Sequence, residues 1–393
     1  MFPSRRATLG GDVFRDEFSV SFDGTDEFIE TTLNGSTFDG NFSISAWIKN
    51  VRTNTYRTIF GHTVDSNNFL SLHLIKSTAG SGDKMSMQMS VGGTEKFVTG
   101  STNFFTEDKW FHVVFTQDDD NNAQALYVDG VRDATQTHNV NFDMDGTSFI
   151  GRKSSSSDFI YTGSISEVTI HNKSLSASEV KTIYNGREPY NHKEGVCSNN
   201  LVAWYRMGDG ALDRFGITGN TNYQNGIITD VVNAKLGNDL VTNGDFSSWT
   251  SDTPDSWDVN GVSSDNTIHQ VGNAIRYNTT TDVFMEIKQD ILTANKIYRV
   301  TVDCIAYVSG QGFRVQSGDD GANRPLSITS VGSFVGYFKA DDHRFRIPRN
   351  NITDVTFTNV TCREVLGNTG IVRNMIPTNI TGNTPWYFKA ENG

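Results

Sequence analysis

Phe149-Ile150-Gly151-Arg152, then Tyr161-Thr162-Gly163-Ser164-Ile165-Ser166-Glu167-Val168-Thr169-Ile170, then Leu175-Ser176-Ala177-Ser178-Glu179-Val180, is the run that decides the fold. The first two pieces read as the closing strands of an antiparallel β-sandwich, and the third as its last helical turn. Upstream, from Phe18 to about Gly186, short segments alternate apolar and polar residues between turn residues, the period-two mark of half-buried strands. Phe18-Ser19-Val20-Ser21-Phe22 is the first of these. Phe42, Ile44, Ala46 and Ile48 fall on one face of another, and Met85, Met87 and Met89 alternate in the same way. Each such face needs a second sheet to cover it.

Trp110 to Thr116 and Ala125 to Gly130 flank Asp118-Asp119-Asp120-Asn121-Asn122, a hairpin with a polar tip. Three successive aspartates cannot converge on one ion, so the triple Asp reads as a solvated turn.

With 393 residues, 26 Phe and 36 Gly against 7 Pro, the chain suits many short strands spread over two or three domains. The formal charge of −12 comes from scattered carboxylates, and no Lys/Arg-rich run offers a track for a phosphate backbone. Nucleic acid and anionic membrane are therefore excluded as expected partners. Cys197, Cys304 and Cys362 match no metal-ligand spacing and read as free thiols. The start Met1-Phe2-Pro3-Ser4-Arg5-Arg6 leads into no apolar export region, and no stretch reaches the ~20 apolar residues of a membrane span. Seven Asn-x-Ser/Thr triplets, Asn278-Thr279-Thr280 among them, read as β-turn composition rather than glycosylation signals.

Five segments in order, Phe22-Asp23-Gly24-Thr25-Asp26-Glu27-Phe28, Ile44-Ser45-Ala46-Trp47, Trp110-Phe111-His112-Val113, Leu126-Tyr127-Val128-Asp129-Gly130 and the closing run, resemble the concanavalin A-like, laminin-G/pentraxin superfamily. The resemblance implies a binding domain, and it implies a calcium ion where loop carboxylates converge, with Asp23, Asp26 and Glu167 as candidate ligands. His112 is expected to be a packed, hydrogen-bonded structural residue.

Leu240-Val241-Thr242-Asn243-Gly244-Asp245-Phe246 opens a second unit that closes on Val355-Thr356-Phe357-Thr358-Asn359-Val360. This order resembles jelly-roll carbohydrate-binding modules, which implies exposed aromatics stacking on sugar rings, with Trp249, Trp257 and Tyr307 as candidates. The expected fold is all-β: two antiparallel β-sandwich (jelly-roll) domains in tandem. An N-terminal arm (1–17) precedes the first sandwich (18–190), and a connector (191–237), the second sandwich (238–366) and a C-terminal tail (367–393) follow it.

Asn200 to Gly210, ending in Met207-Gly208-Asp209, resembles segments of structural proteins of tailed, especially marine, phages. That resemblance implies a virion location after assembly in the host cytoplasm, other capsid or tail proteins as partners, self-association into a homo-oligomer, and weak adsorption to host surface glycans. The alternatives left open are a secreted or cell-surface bacterial glycan-binding protein and a polysaccharide-degrading tail protein. Catalysis is not expected, since no H-E-x-x-H, G-x-S-x-G or phosphate-loop pattern occurs and the paired-carboxylate strand motif of the related glucanases is missing.

Overall fold

The computed structural model describes residues 14–385, apart from 52, 76–82, 105–107, 139–141, 143, 155, 157–158, 214–225, 319–322 and 376. The first thirteen residues of the expected arm and the last eight of the expected tail lie outside the described residues.

The alternating segments form two antiparallel eight-stranded sheets that face each other. In one, the order runs Val131–Gln136, Ala123–Val128, Trp110–Asp118, Phe42–Asn50, Thr162–His171, Ser19–Asp23. In the other, Phe28–Thr31, Thr147–Ile150, Arg57–Asp65, Asn68–Leu74, Met85–Val91 and Thr94–Thr99 lie side by side. Phe42, Ile44, Ala46, Ile48, Met85, Met87 and Met89 all enter the one core between them, as the alternation requires. The opposite face of Phe42–Asn50 is buried as well, because helix Ala177–Tyr184 lies over that side of the sheet. Val180 and Ile183 of the helix pack there with Val114, Ala125 and Tyr127. Ser176 starts the helix with a reciprocal cap to Glu179, and Asn185 in a left-handed conformation ends it. His112 packs against both Trp47 and Tyr184 and shares a 2.9 Å hydrogen bond with Ser45 Oγ, while burial pushes its pKa down to about 3. Asp118, Asp119 and Asp120 form the hairpin tip, where Asp118 and Asp120 accept hydrogen bonds from Asn121 and Asn41.

The connector and the tail depart from expectation, because both complete the first sandwich. Leu201–Tyr205 pairs with Thr162–His171, and Gly226–Ile228 joins the second sheet through Gly370–Arg373. Gly370–Arg373 in turn pairs with Phe28–Thr31, and Ile380–Thr381 adds to the edge of Ser19–Asp23. The physical reason is edge pairing: the outer strands Ser19–Asp23 and Phe28–Thr31 would otherwise expose unpaired backbone groups. The second sandwich is thus inserted into the first rather than following it in tandem.

That second unit has its own core, closed by a sheet ordered Asn266–Gln270, Ile275–Thr279, Thr353–Leu366, Ile297–Gly310, Gly332–Lys339 and a facing sheet ordered Asp258–Asn260, Glu286–Asp290, Arg344–Pro348, Phe313–Ser317, Asn323–Ile328. Where the two units meet, Ile227 and Ile371 pack with Ile297, Tyr337 and Val365. Glu30 of the first unit bridges Lys339 at 3.0 Å and Arg373 at 2.7 Å. Burial opposes its charge, but Arg373 and Lys339 together hold its carboxyl below the ordinary value.

Candidate functional site

Strand Thr162–His171 has Phe42–Asn50 on one side, but its other side is shared. Ser19–Asp23 pairs along its first half, from Thr162 to Ile165, and Leu201–Tyr205 along its second, from Val168 to His171. Ser166 and Glu167 sit at the changeover. There Glu167 and Val168 together oppose Ala46 alone, a β-bulge, and Glu167 takes a left-handed φ of 51°. A non-glycine residue held this way marks stored backbone strain.

The bulge aims the Glu167 carboxylate at Trp204 Nε1, which donates to it at 2.5 Å, and at Arg206 Nε, 3.2 Å away. Asp16 and Asp209 close the group, each with an oxygen within 4.8 Å of the others. Ser166 Oγ donates to Asp16, and the backbone N–H groups of Glu17 and Phe18 donate to Asp209. Burial, then Glu167 and Asp209, raise the Asp16 pKa well above its ordinary value. Burial pushes Glu167 up to about 7 against the opposing pull of Arg206 and Trp204.

Three carboxylates this close have metal-ligating geometry, but the guanidinium of Arg206 already stands between Glu167 and Asp209, 3.5 Å from the latter. Its positive charge offsets part of the carboxylate repulsion, and burial together with the neighbouring carboxylates raises the Asp16 pKa. The cluster is a lock that pins residues 14–18 to the sheet.

Asp23 and Asp26 lie elsewhere. Asp23 pairs in register with Thr162, five residues from Glu167, which is about 16 Å along a strand. Both aspartates are exposed in the turn, where Asp23 accepts the Thr25 N–H at 2.7 Å. The structure therefore does not gather Asp23, Asp26 and Glu167 into one ligand set, because strand register separates them. Sequence reasoning missed Asp16 and Asp209, and the Met207-Gly208-Asp209 strand end was the signal available for the second.

Of the candidate sugar-stacking aromatics, one is placed differently from expectation. Trp257 is buried, stacked on Phe246 at 5.5 Å, with its Nε1 donating to Asn243 O. Trp249 is half-buried against the same core and donates to Phe246 O. Tyr307 is half-buried beside that core, and its hydroxyl donates to Gly310 O. Trp257 thus serves packing.

A row of polar and charged side chains crosses the outer face of the Asp258–Asn260 sheet in the second unit. Cross-strand register sets Asp258, Lys288, Arg346 and Gln316 in one row over four strands, with Asn260 and Glu286 beside it. Arg346 Nε donates to Glu286 at 2.6 Å, and its Nη1 donates to Gly318 O at 2.8 Å. Gln316 Nε2 donates to Gly318 O, while its Oε1 is buried without a partner. Phe284, two residues before Glu286 and so on the same face, is 50% exposed with the Arg346 guanidinium 5.6 Å from its ring. Glu286, Arg346 and Gln316 are buried in this row and hold one another rigid, while Asp258, Asn260 and Lys288 reach the surface with the Phe284 ring alongside.

Residues 23–181 match the family model of the concanavalin A-like lectin/glucanases superfamily, which gives the first sandwich a lectin-like fold. No curated protein matches the chain. Among solved structures, a heptameric SAP-like pentraxin from Limulus polyphemus is similar at 15% identity, over 43% of this chain and 82% of the pentraxin, with a TM-score of 0.34. The CBM40 module of a Ruminococcus gnavus sialidase, solved with α2,3-sialyllactose, is similar at 12% identity over 44% of this chain and 100% of the module, TM-score 0.36. Domain 4 of an extracellular GH43 arabinanase from Geobacillus stearothermophilus, solved with arabinotriose, is similar at 20% identity over 44% of this chain and 78% of that one, TM-score 0.35.

Proposed function

We propose that this protein is a non-catalytic carbohydrate-binding protein, carried on the surface of a tailed-phage particle, that takes glycan on the outer face of its second sandwich. The observation that carries this reading is the accessible pair Asp258 and Lys288, in one cross-strand row with the buried Arg346 and Gln316, lying beside the half-exposed Phe284. Sugar hydroxyls are met by planar amide, carboxylate and guanidinium groups, and the apolar face of a sugar ring is met by an aromatic one. Because Arg346 is already fixed by Glu286 and Gly318, little side-chain freedom remains to be lost on binding. Single contacts of this kind are weak, and many copies on one particle would supply avidity. The particle setting rests on the phage-like strand end Met207-Gly208-Asp209.

A glycan array probed with the full chain tests the binding. Phe284→Ala and Lys288→Ala alter exposed or half-exposed side chains and are expected to keep the fold while lowering signal about tenfold for bound glycans. Array signal that neither change reduces would remove this face as the site. Immunogold labelling of purified particles tests the setting, and absence of the protein from any particle would favour a secreted module.

A further inference from the structure

A cavity of about 450 Å³ opens beside the first sandwich, walled in part by Phe14, Asn191, Lys193, Trp204, Arg206 and Asp209. These six lie outside the segment that matches the lectin family. Its volume suits one or two sugar rings. Phe14 lies 5.6 Å from Trp204, and the Arg206 guanidinium sits 4.5 Å from the Phe14 ring.

The groups that remain unmet in this cavity share one sign. Asp209 is already engaged by Arg206 and by the N–H groups of Glu17 and Phe18. Arg206 uses Nε on Glu167 and Nη2 on Asp209 and Arg15 O, and its Nη1 has no hydrogen-bond partner among the described residues. The exposed Lys193 ammonium likewise has no ion-pair partner among the described residues. Asn191 uses its Oδ1 to accept the Lys193 N–H, which sets that loop and leaves its amide NH2 as a further donor. The open capacity is therefore cationic or donating throughout, next to an aromatic ring.

We propose that this cavity is a second glycan site that takes a sugar unit bearing an anionic group, a carboxylate or a sulfate. Lys193 and Arg206 meet the anion, and Phe14 covers the ring. The site stands on its own chemistry and does not depend on the sheet-face reading. Its local donors select an anion that the acidic chain as a whole repels.

Saturation-transfer NMR on the full chain with methyl glucuronoside, galactose 6-sulfate and galactose tests it. At least one of the two anionic sugars is expected to bind, and which one does distinguishes carboxylate from sulfate as the source. Lys193→Ala is expected to weaken that binding about tenfold, the size of one charge-assisted hydrogen bond, with Lys193→Arg restoring it. Phe284→Ala is expected to leave it unchanged, so a failure here and a failure of the sheet face remain separate results. Failure of both anionic sugars to bind, or anionic binding that survives Lys193→Ala and falls with Phe284→Ala, would overturn the proposal.

Discussion

Arg57→Met removes one partner from a charge pair that has no exposure at all. Arg57 and Asp83 are both fully buried, and Arg57 Nη2 lies 2.7 Å from Asp83 Oδ1. Its Nη1 also donates to Asn50 Oδ1 at 2.6 Å and to Val51 O at 2.9 Å, so it ties the end of strand Phe42–Asn50 to the facing sheet. Methionine keeps an unbranched apolar stem but leaves a buried carboxylate alone, a loss of about 3–5 kcal/mol when one partner of such a pair is removed. The expected penalty in urea unfolding is therefore about 3–5 kcal/mol. Arg57→Met combined with Asp83→Leu replaces the pair by apolar groups and is expected to recover most of the loss. A single variant that loses less than about 1 kcal/mol, or a double variant no better than the single, would refute the reasoning.

Asp16→Asn is expected to raise the melting temperature at pH 8 and to leave it unchanged near pH 4. Burial and its acidic neighbours raise the Asp16 pKa in the folded protein, so the stability it confers is present at low pH and is lost as pH rises through the raised value. An equal difference at both pH values in calorimetry would contradict this. The buried histidines act with the opposite sign: burial pushes His73 and His171 down to about 4, so their contribution is full above pH 6.5 and is lost as pH falls toward 4. Melting temperature is accordingly expected to drop between pH 6.5 and 4, and a flat profile there would count against the placement of these rings. Truncation after Leu366 removes Ile371 and Val372 from the core contacts and Arg373 from Glu30, and is expected to destabilise the first sandwich. Hydrogen exchange should show strands Ser19–Asp23 and Phe28–Thr31 losing protection, whereas unchanged protection would mean the returning strands are dispensable. Burial raises the thiols, Cys197 to about 11, so slow reaction with a thiol reagent in the native state and rapid reaction of all three in denaturant are expected.

The strands of both sandwiches were legible because their signal is local. Phe42 to Ile48 and Met85 to Met89 alternate with a period of two, and each alternation became one face of the core. The insertion was not legible, since Gly370–Arg373 is a four-residue strand whose partner Phe28–Thr31 lies more than 300 residues earlier. Its neighbours Gly367 and Gly370 read as tail composition, although Gly370 is needed where a side chain would strike Ile29. Glu167 was grouped with Asp23 and Asp26 in the sequence, but a bulge aims it toward Asp16 and Asp209 rather than along the strand toward Asp23. Trp257 resembles a sugar-stacking residue in sequence, yet alternation cannot say which of two faces is the core. Phe284 and Gln316 carry no motif, and only cross-strand register sets them near Arg346.

The most direct test of glycan binding on the sheet face is a crystal structure of the full chain soaked with the saccharide that gives the highest array signal. Sugar density over Phe284, contacting Lys288 or Asp258, is the predicted result. A bound sugar on any other surface, with that face bare, would contradict it.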